Sequence, residues 1–331
     1  MEEHYTKGNK NMWEGRIDSL TDRSSFRLHQ VVQCIDIQNI IKENLDIKIK
    51  NFCLLGFCCD EGVKRNKGRI GAKQGPAAIR KAIANLPLHF TNQVNLFYGG
   101  DISCNDQYMD QAQKSLSEVI EKILALEMHP IIMGGGHEIA FGSFNGNFRF
   151  LQKENPKPKL GILNFDAHFD LRPYDQGTSS GTMFTQIADQ LKEQEIDFNY
   201  FCIGIQAMGN TKHLFDKANT LGVEYIFANQ LVPSLEKENI HKLRKFIGAL
   251  DHLYITICSD VFHLSAAPGV SAPAPLGIMP KEMLPYLHIA AKSEKSIGLD
   301  IAEVNPSLDI DNHTSKLAAG LIYEYMLSIV G

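Results

Sequence analysis

Eight short apolar runs limit what this chain can fold into: residues 52–55, 95–98, 130–133, 160–165, 200–203, 225–227, 253–257 and 297–301. Most are followed at once by Gly, Asp or another polar residue. A strand wetted on one face alternates apolar with polar, so a run apolar throughout reads as a strand covered on both faces. Longer stretches with helical spacing lie between the runs. Leu116, Val119, Ile120, Ile123 and Leu124 fall on one face of a helix that stops before Pro130. A second helix is expected over 75–86, with Pro76 in its first turn, where a missing N–H costs nothing. Strand and helix alternate about eight times. That predicts an α/β fold: a single domain built on a doubly wound, mostly parallel sheet of about eight strands, with helices on both faces. No repeat or low-complexity linker interrupts the pattern. Residues 46–331 are therefore expected to form one catalytic domain, and residues 1–45 an N-terminal extension packed on it.

Composition removes several function classes. A chain of 331 residues that is 44% hydrophobic can bury a large core. A formal net charge of -5 argues against a nucleic-acid partner, which calls for a basic face. No run of about 18 apolar residues is present, so no membrane span is expected. Residues 1–11 are polar and charged and lack the apolar stretch of a signal peptide. The seven cysteines are odd in number, and several sit inside apolar runs. That suits reduced thiols and a cytoplasmic location better than a disulfide framework.

Doubly wound sheets place their sites beyond the carboxyl ends of the strands. After the run at 130–133 comes Gly134-Gly135-Gly136-His137-Glu138, and after 160–165 comes Asp166-Ala167-His168-Phe169-Asp170. The run at 253–257 leads into Cys258-Ser259-Asp260, and the last run leads to Glu303. Each residue alone has an ordinary reading: His137 in a loop, Asp166 as a helix cap, His168 as a hydrogen-bonded structural imidazole, Glu303 at the surface before Pro306. The glycines do not form a phosphate loop, because no Lys-Ser/Thr follows them. Structural needs rarely produce all of these at strand ends together. Imidazoles with several carboxylates suit Mn, Fe, Co or Zn rather than calcium. The carboxylates exceed what one ion needs, which points to two divalent ions sharing a bridging water that loses a proton near neutral pH.

At these residues the chain resembles the ureohydrolases, the arginase and agmatinase family, over about residues 51–331. The family's Gly-Gly-x-His loop is similar to 134–137, and its Asp-Ala-His-x-Asp loop to 166–170. Its Ser-x-Asp-x-Asp strand end, followed by Pro-Gly, compares with 256–260 and Pro268-Gly269; its Glu-Val-x-Pro compares with Glu303-Val304-Asn305-Pro306. Within the family the formimidoylglutamase branch is the most similar. The likeness rests on Cys59-Asp60-Glu61-Gly62-Val63, Arg65-Asn66, 68–72, Leu171-Arg172, 179–182, 204–206 and Asn210-Thr211. The resemblance implies an arginase-like three-layer α/β/α fold and hydrolysis of N-formimidoyl-L-glutamate to L-glutamate and formamide, a step of histidine degradation. It implies manganese, with one ion on His137, Asp166, Asp170 and the Cys258 position. The second ion would sit on His168, Asp166, the Cys258 position and Asp260. Asp170 would orient the nucleophile, and Glu303 would accept hydrogen bonds from the cationic formimidoyl nitrogens. Family members are often trimers or hexamers, so the resemblance allows a homo-oligomer.

Two departures stand out. Where arginase-like members carry a proton-shuttling His, the chain reads Gly181-Thr182-Met183-Phe184, which leaves the proton donor to the leaving group unassigned. Cys258 stands where the family has a bridging aspartate; the expected effect falls on the position shared with His168 and Asp260, and His263 is a weaker candidate for a substitute ligand. Glutamate's two carboxylates call for cations at the pocket mouth, and Arg69 and Arg172 are the candidates. The alternatives are another ureohydrolase, such as an agmatinase or a guanidino-acid hydrolase, and a metal-impaired relative that only binds a small acid.

Overall fold

The computed structural model describes residues 3–46, 48–90, 94–105 and 107–331. The eight apolar runs become β3 (Lys50–Cys58), β4 (Val94–Ser103), β5 (His129–Met133), β6 (Leu160–Phe165), β7 (Asn199–Ile205), β8 (Glu224–Phe227), β9 (His252–Cys258) and β10 (Ser296–Ala302). Two further strands come from the N-terminal segment: β1 (Tyr5–Thr6), antiparallel to β4, and β2 (Gln33–Cys34), parallel to it. Two residues are too few to show a period, so the sequence offers no sign of either. Among the described residues the ten strands form one sheet in the order β1-β4-β3-β5-β10-β9-β6-β7-β8, with β2 off that path on β4. Every pairing except β1 with β4 is parallel.

Successive strand residues point to opposite faces, and here both faces are covered. Leu54, Ile131, Leu163, Ile255 and Leu299 join a core roofed by the helices Gly75–Ala84, Pro280–Ala291 and His313–Val330. Their neighbours Leu55 and Ile132 pack under Met109–Ala125, and Ile162 and Tyr254 under Ile139–Gln152 and Met183–Glu193. The expected helical faces are present: Leu116, Val119, Ile120 and Ile123 are buried, and Pro76 lies in the first turn of Gly75–Ala84.

One buried ion pair braces the β3–β4 side. Arg80 Nη1 lies 3.2 Å from Asp101 Oδ1 and donates to Tyr98 Oη at 2.6 Å, with both charged side chains almost out of water. Removing one partner strands the other charge without solvent, a loss of about 3–5 kcal/mol. Asp101→Ala should therefore lower the denaturant midpoint with an unchanged slope. A loss below about 1 kcal/mol would show that water reaches Arg80.

The chain order of the strands creates the site. After β5 the chain skips two positions to build β6, β7 and β8, then returns so that β9 and β10 fill the gap. Four neighbours result: β5, β10, β9, β6. Register aligns Met133 with Ile301, Ile301 with Ile257, and Ile257 with Phe165. The residues just past that row therefore emerge along one rim.

Candidate metal centre

His137 is placed by the glycine turn after β5. Gly134 N donates to Ile301 O at 2.7 Å and Gly136 N to Cys59 O at 2.9 Å. A Cβ on Gly135 would lie 1.7 Å from Cys59 O, so only glycine lets the turn pass so close. The His137 ring is 1% exposed. Its Nδ1 lies 3.0 Å from Asp166 Oδ2 and 2.9 Å from Asp170 Oδ2. Asp166, the first residue past β6, is fully buried and reaches both histidines: its Oδ1 accepts from His168 N at 2.8 Å and lies 3.4 Å from His168 Nδ1. His168 Nδ1 is also 3.3 Å from Asp260 Oδ2. Asp170 (φ 49°) and Glu303 (φ 66°) are both left-handed without being glycine, a strain of about 1–3 kcal/mol each that recurs where function fixes a side chain. Glu303 Oε1 accepts from His137 N at 3.0 Å, tying the end of β10 to the β5 turn.

Two donor groups result, each with its ligand atoms mutually within 4.8 Å: His137, Asp166 and Cys258, and Asp166, His168 and Asp260. They share Asp166. Cys258 falls in the first group only, not in the second where its effect was expected. It ends β9 in register with Ala302 of β10, whereas Asp260 lies in the turn beyond. His263 joins neither group; its Nδ1 is 2.7 Å from Ser265 Oγ.

The electrostatics fit cations. Burial, and then Asp166, push the Asp170 carboxyl up to about 6. Burial, with Asp260 and Glu138 behind it, drives Glu303 well above the usual carboxylate range. Burial opposes charge on both imidazoles, yet the surrounding carboxylates outweigh it and hold His137 and His168 protonated far above the ordinary histidine range. Asp260 Oδ1 is buried with no hydrogen-bond partner among the described residues. Nitrogen and oxygen donors, surplus negative charge and an orphaned carboxylate oxygen suit two divalent ions.

The sequence reading missed a support behind His137. Its Nε2 lies 3.0 Å from Thr256 Oγ1, which in turn donates to Asp300 Oδ1 at 2.5 Å; Tyr254 Oη donates to the other Asp300 oxygen. With the Thr256 proton committed to Asp300, Nε2–H donates to Thr256 Oγ1, so Nδ1 is the nitrogen that would ligate once an entering cation displaced its proton. An aspartate inside the apolar run at 297–301 was the available signal. Thr256→Val should weaken metal binding in calorimetric titration by about 10–100-fold, and Thr256→Ser should restore it. Equal affinities for the Val variant and wild type would remove the support role.

The rim opens into a cleft of about 420 Å³. Its floor is acidic, with Asp170, Asp260 and Glu303; its exposed wall carries Lys67, Arg69 and Arg172. Among the described residues, Arg172 makes no side-chain hydrogen bond or ion pair, while Arg69 donates to the carbonyls of Ser271 at 2.9 Å and Val270 at 2.7 Å. Lys67 was not anticipated, since a lone lysine in a loop carries no signature.

A parallel sheet whose carboxyl rim gathers two overlapping imidazole–carboxylate groups defines a class: α/β enzymes built around a two-metal centre. Within that class the chain belongs to the arginase family, whose profile matches residues 50–328. The formimidoylglutamase of Clostridium tetani is 42% identical over 327 residues, covering 98% of this chain and 96% of that protein. The crystal structure of formimidoylglutamase from Bacillus subtilis superposes with a TM-score of 0.79 at 21% identity, over 96% of each chain. Formiminoglutamase from Trypanosoma cruzi, solved with Mn2+, gives 0.74 at 24% identity over 85% of this chain and 94% of that one. These two structures share the fold.

Proposed function

We propose that this chain hydrolyses N-formimidoyl-L-glutamate to L-glutamate and formamide. The observation that carries the reading is the polarity of the cleft: carboxylates at the buried floor, cations at the exposed wall. The substrate has the complementary polarity, with a cationic amidine at one end and two carboxylates at the other. Agmatine carries positive charge at both ends and would meet Lys67, Arg69 and Arg172 unfavourably. The relative from Clostridium tetani carries the corresponding name over nearly the whole chain.

His137, Asp166, Asp170 and Cys258 would hold one ion, and Asp166, His168 and Asp260 the other, with manganese the first metal to test. Bound there, two divalent cations supply Lewis acidity and lower the pKa of a water at neutral pH. Glu303 accepts hydrogen bonds from the amidinium nitrogens and turns the amidine carbon toward the floor. Asp170 accepts a hydrogen bond from the attacking water and orients it. Water adds to the amidine carbon, the bond to the glutamate nitrogen breaks, that nitrogen takes a proton, and formamide leaves. Arg172, with Lys67, pairs with the substrate carboxylates. Arg69 contributes charge and fixes the wall at Val270 and Ser271.

Residues 46–331 would form the catalytic unit and 1–45 the extension laid against it through β1 and β2, a division the match over 50–328 supports. No helix among the described residues is long and apolar enough to cross a membrane. The seven cysteines are all free thiols, which supports a cytoplasmic place in histidine degradation, as a single chain or a homo-oligomer. Formamide release from N-formimidoylglutamate, measured with the manganese-loaded full chain, tests the assignment. Turnover of agmatine or arginine but not of this substrate would overturn it.

A further inference from the structure

The two donor groups differ in softness. Around His137 are one imidazole nitrogen, oxygens of Asp166 and Asp170, and the sulfur of Cys258; around His168 are one imidazole nitrogen and oxygens of Asp166 and Asp260. Cys258 is 2% exposed, and its sulfur makes no hydrogen bond among the described residues. A buried thiol that merely fills space in a strand would face an apolar layer. This one instead lines the cleft beside His137, Asp170, Asp260 and Glu303, and Asp260, in the same lining, has a buried oxygen, Oδ1, with no hydrogen-bond partner among the described residues.

Resting on the two-metal reading above, we infer that the centre is asymmetric. Cys258 ligates the His137-side ion through Sγ, so that position selects zinc, cobalt or iron(II). The His168–Asp260 position keeps the harder nitrogen–oxygen set that suits manganese. Sulfur is the softer donor and offers one atom where a carboxylate offers two, so Asp166 is left as the carboxylate common to both groups. The ligating form is the thiolate, and the entering cation displaces the thiol proton to solvent.

Cobalt(II) titration of the metal-free full-length protein tests this without activity. Two ions per chain should bind, and a near-ultraviolet sulfur-to-cobalt charge-transfer band should saturate with one of them. Cys258→Ser should lose the band and keep one tight ion at His168 and Asp260. Cys258→Asp should lose the band and still bind two. In competition between zinc and manganese, Cys258→Asp should shift preference toward manganese by roughly tenfold or more, the scale on which changes around a metal ligand act. Two bound ions with no sulfur band in wild type would overturn the asymmetry and leave the two-metal reading intact. No bound ion in wild type would overturn both. Should Cys258→Ser fail to fold, the wild-type spectrum and Cys258→Asp decide.

Discussion

Asp166→Ala should abolish hydrolysis, with a fall in kcat/KM of at least about three orders of magnitude, because two-metal activation supplies several kcal/mol and each 1.36 kcal/mol is tenfold. No other described residue belongs to both donor groups. Its removal would take one donor from each group and leave less negative charge to hold two cations. Elemental analysis should find fewer than two ions per chain in the variant. The fold should survive: Asp166 lies beyond β6, and the sheet pairing does not use its side chain. Circular dichroism checks that point. A variant that keeps two ions and turns over within about tenfold of wild type would remove Asp166 from the centre.

The second large effect concerns choice of substrate. N-formimidoylglutamate should be preferred over agmatine by at least about two orders of magnitude in kcat/KM, since leaving buried or paired charges without partners costs a few kcal/mol. Arg172 is the residue to test, because its guanidinium is unengaged among the described residues. Arg172→Ala should raise KM for the glutamate substrate with a smaller change in kcat, the pattern of a contact made equally in ground and transition states. The preference over agmatine should narrow in the same variant. Arg69→Ala should act differently, because two of its donors hold the Val270–Ser271 wall and its loss would loosen the cleft. An unchanged KM in Arg172→Ala would move the carboxylate contact to Lys67 or to a backbone donor.

The residues of the candidate centre were legible in the sequence because they obey one local rule. Buried parallel strands announce themselves as apolar runs, and the residues that follow them must face the rim. His137, Asp166, His168, Asp170, Asp260 and Glu303 could be picked out without knowing how the strands are ordered. Which residue stands beside which could not, because strand order depends on contacts between segments distant in the sequence. Cys258 shows the gap: the resemblance gave it a position shared by both ions, whereas its sulfur groups with His137 and Asp166 and not with His168. Thr256 and Asp300 were hidden for a related reason. Their hydrogen bond crosses from β9 to β10; Thr256 opens the 256–260 motif at a position that supplies no ligand, and Asp300 lies outside the motifs. Lys67 reaches the cleft wall through the fold of its loop, which no local pattern encodes.

The return of β9 and β10 into the gap between β5 and β6 has a consequence during synthesis. Residues 50–133 and 160–227 can form two parallel sheetlets, but each ends on an open hydrogen-bonding edge, β5 in one and β6 in the other. Such edges invite pairing with other chains. Residues 252–302, which leave the ribosome after both of those segments, seal both at once, and the same event brings Cys258, Asp260 and Glu303 to His137 and Asp166. Closing the gap between β5 and β6 and gathering the candidate ligand set are thus one step.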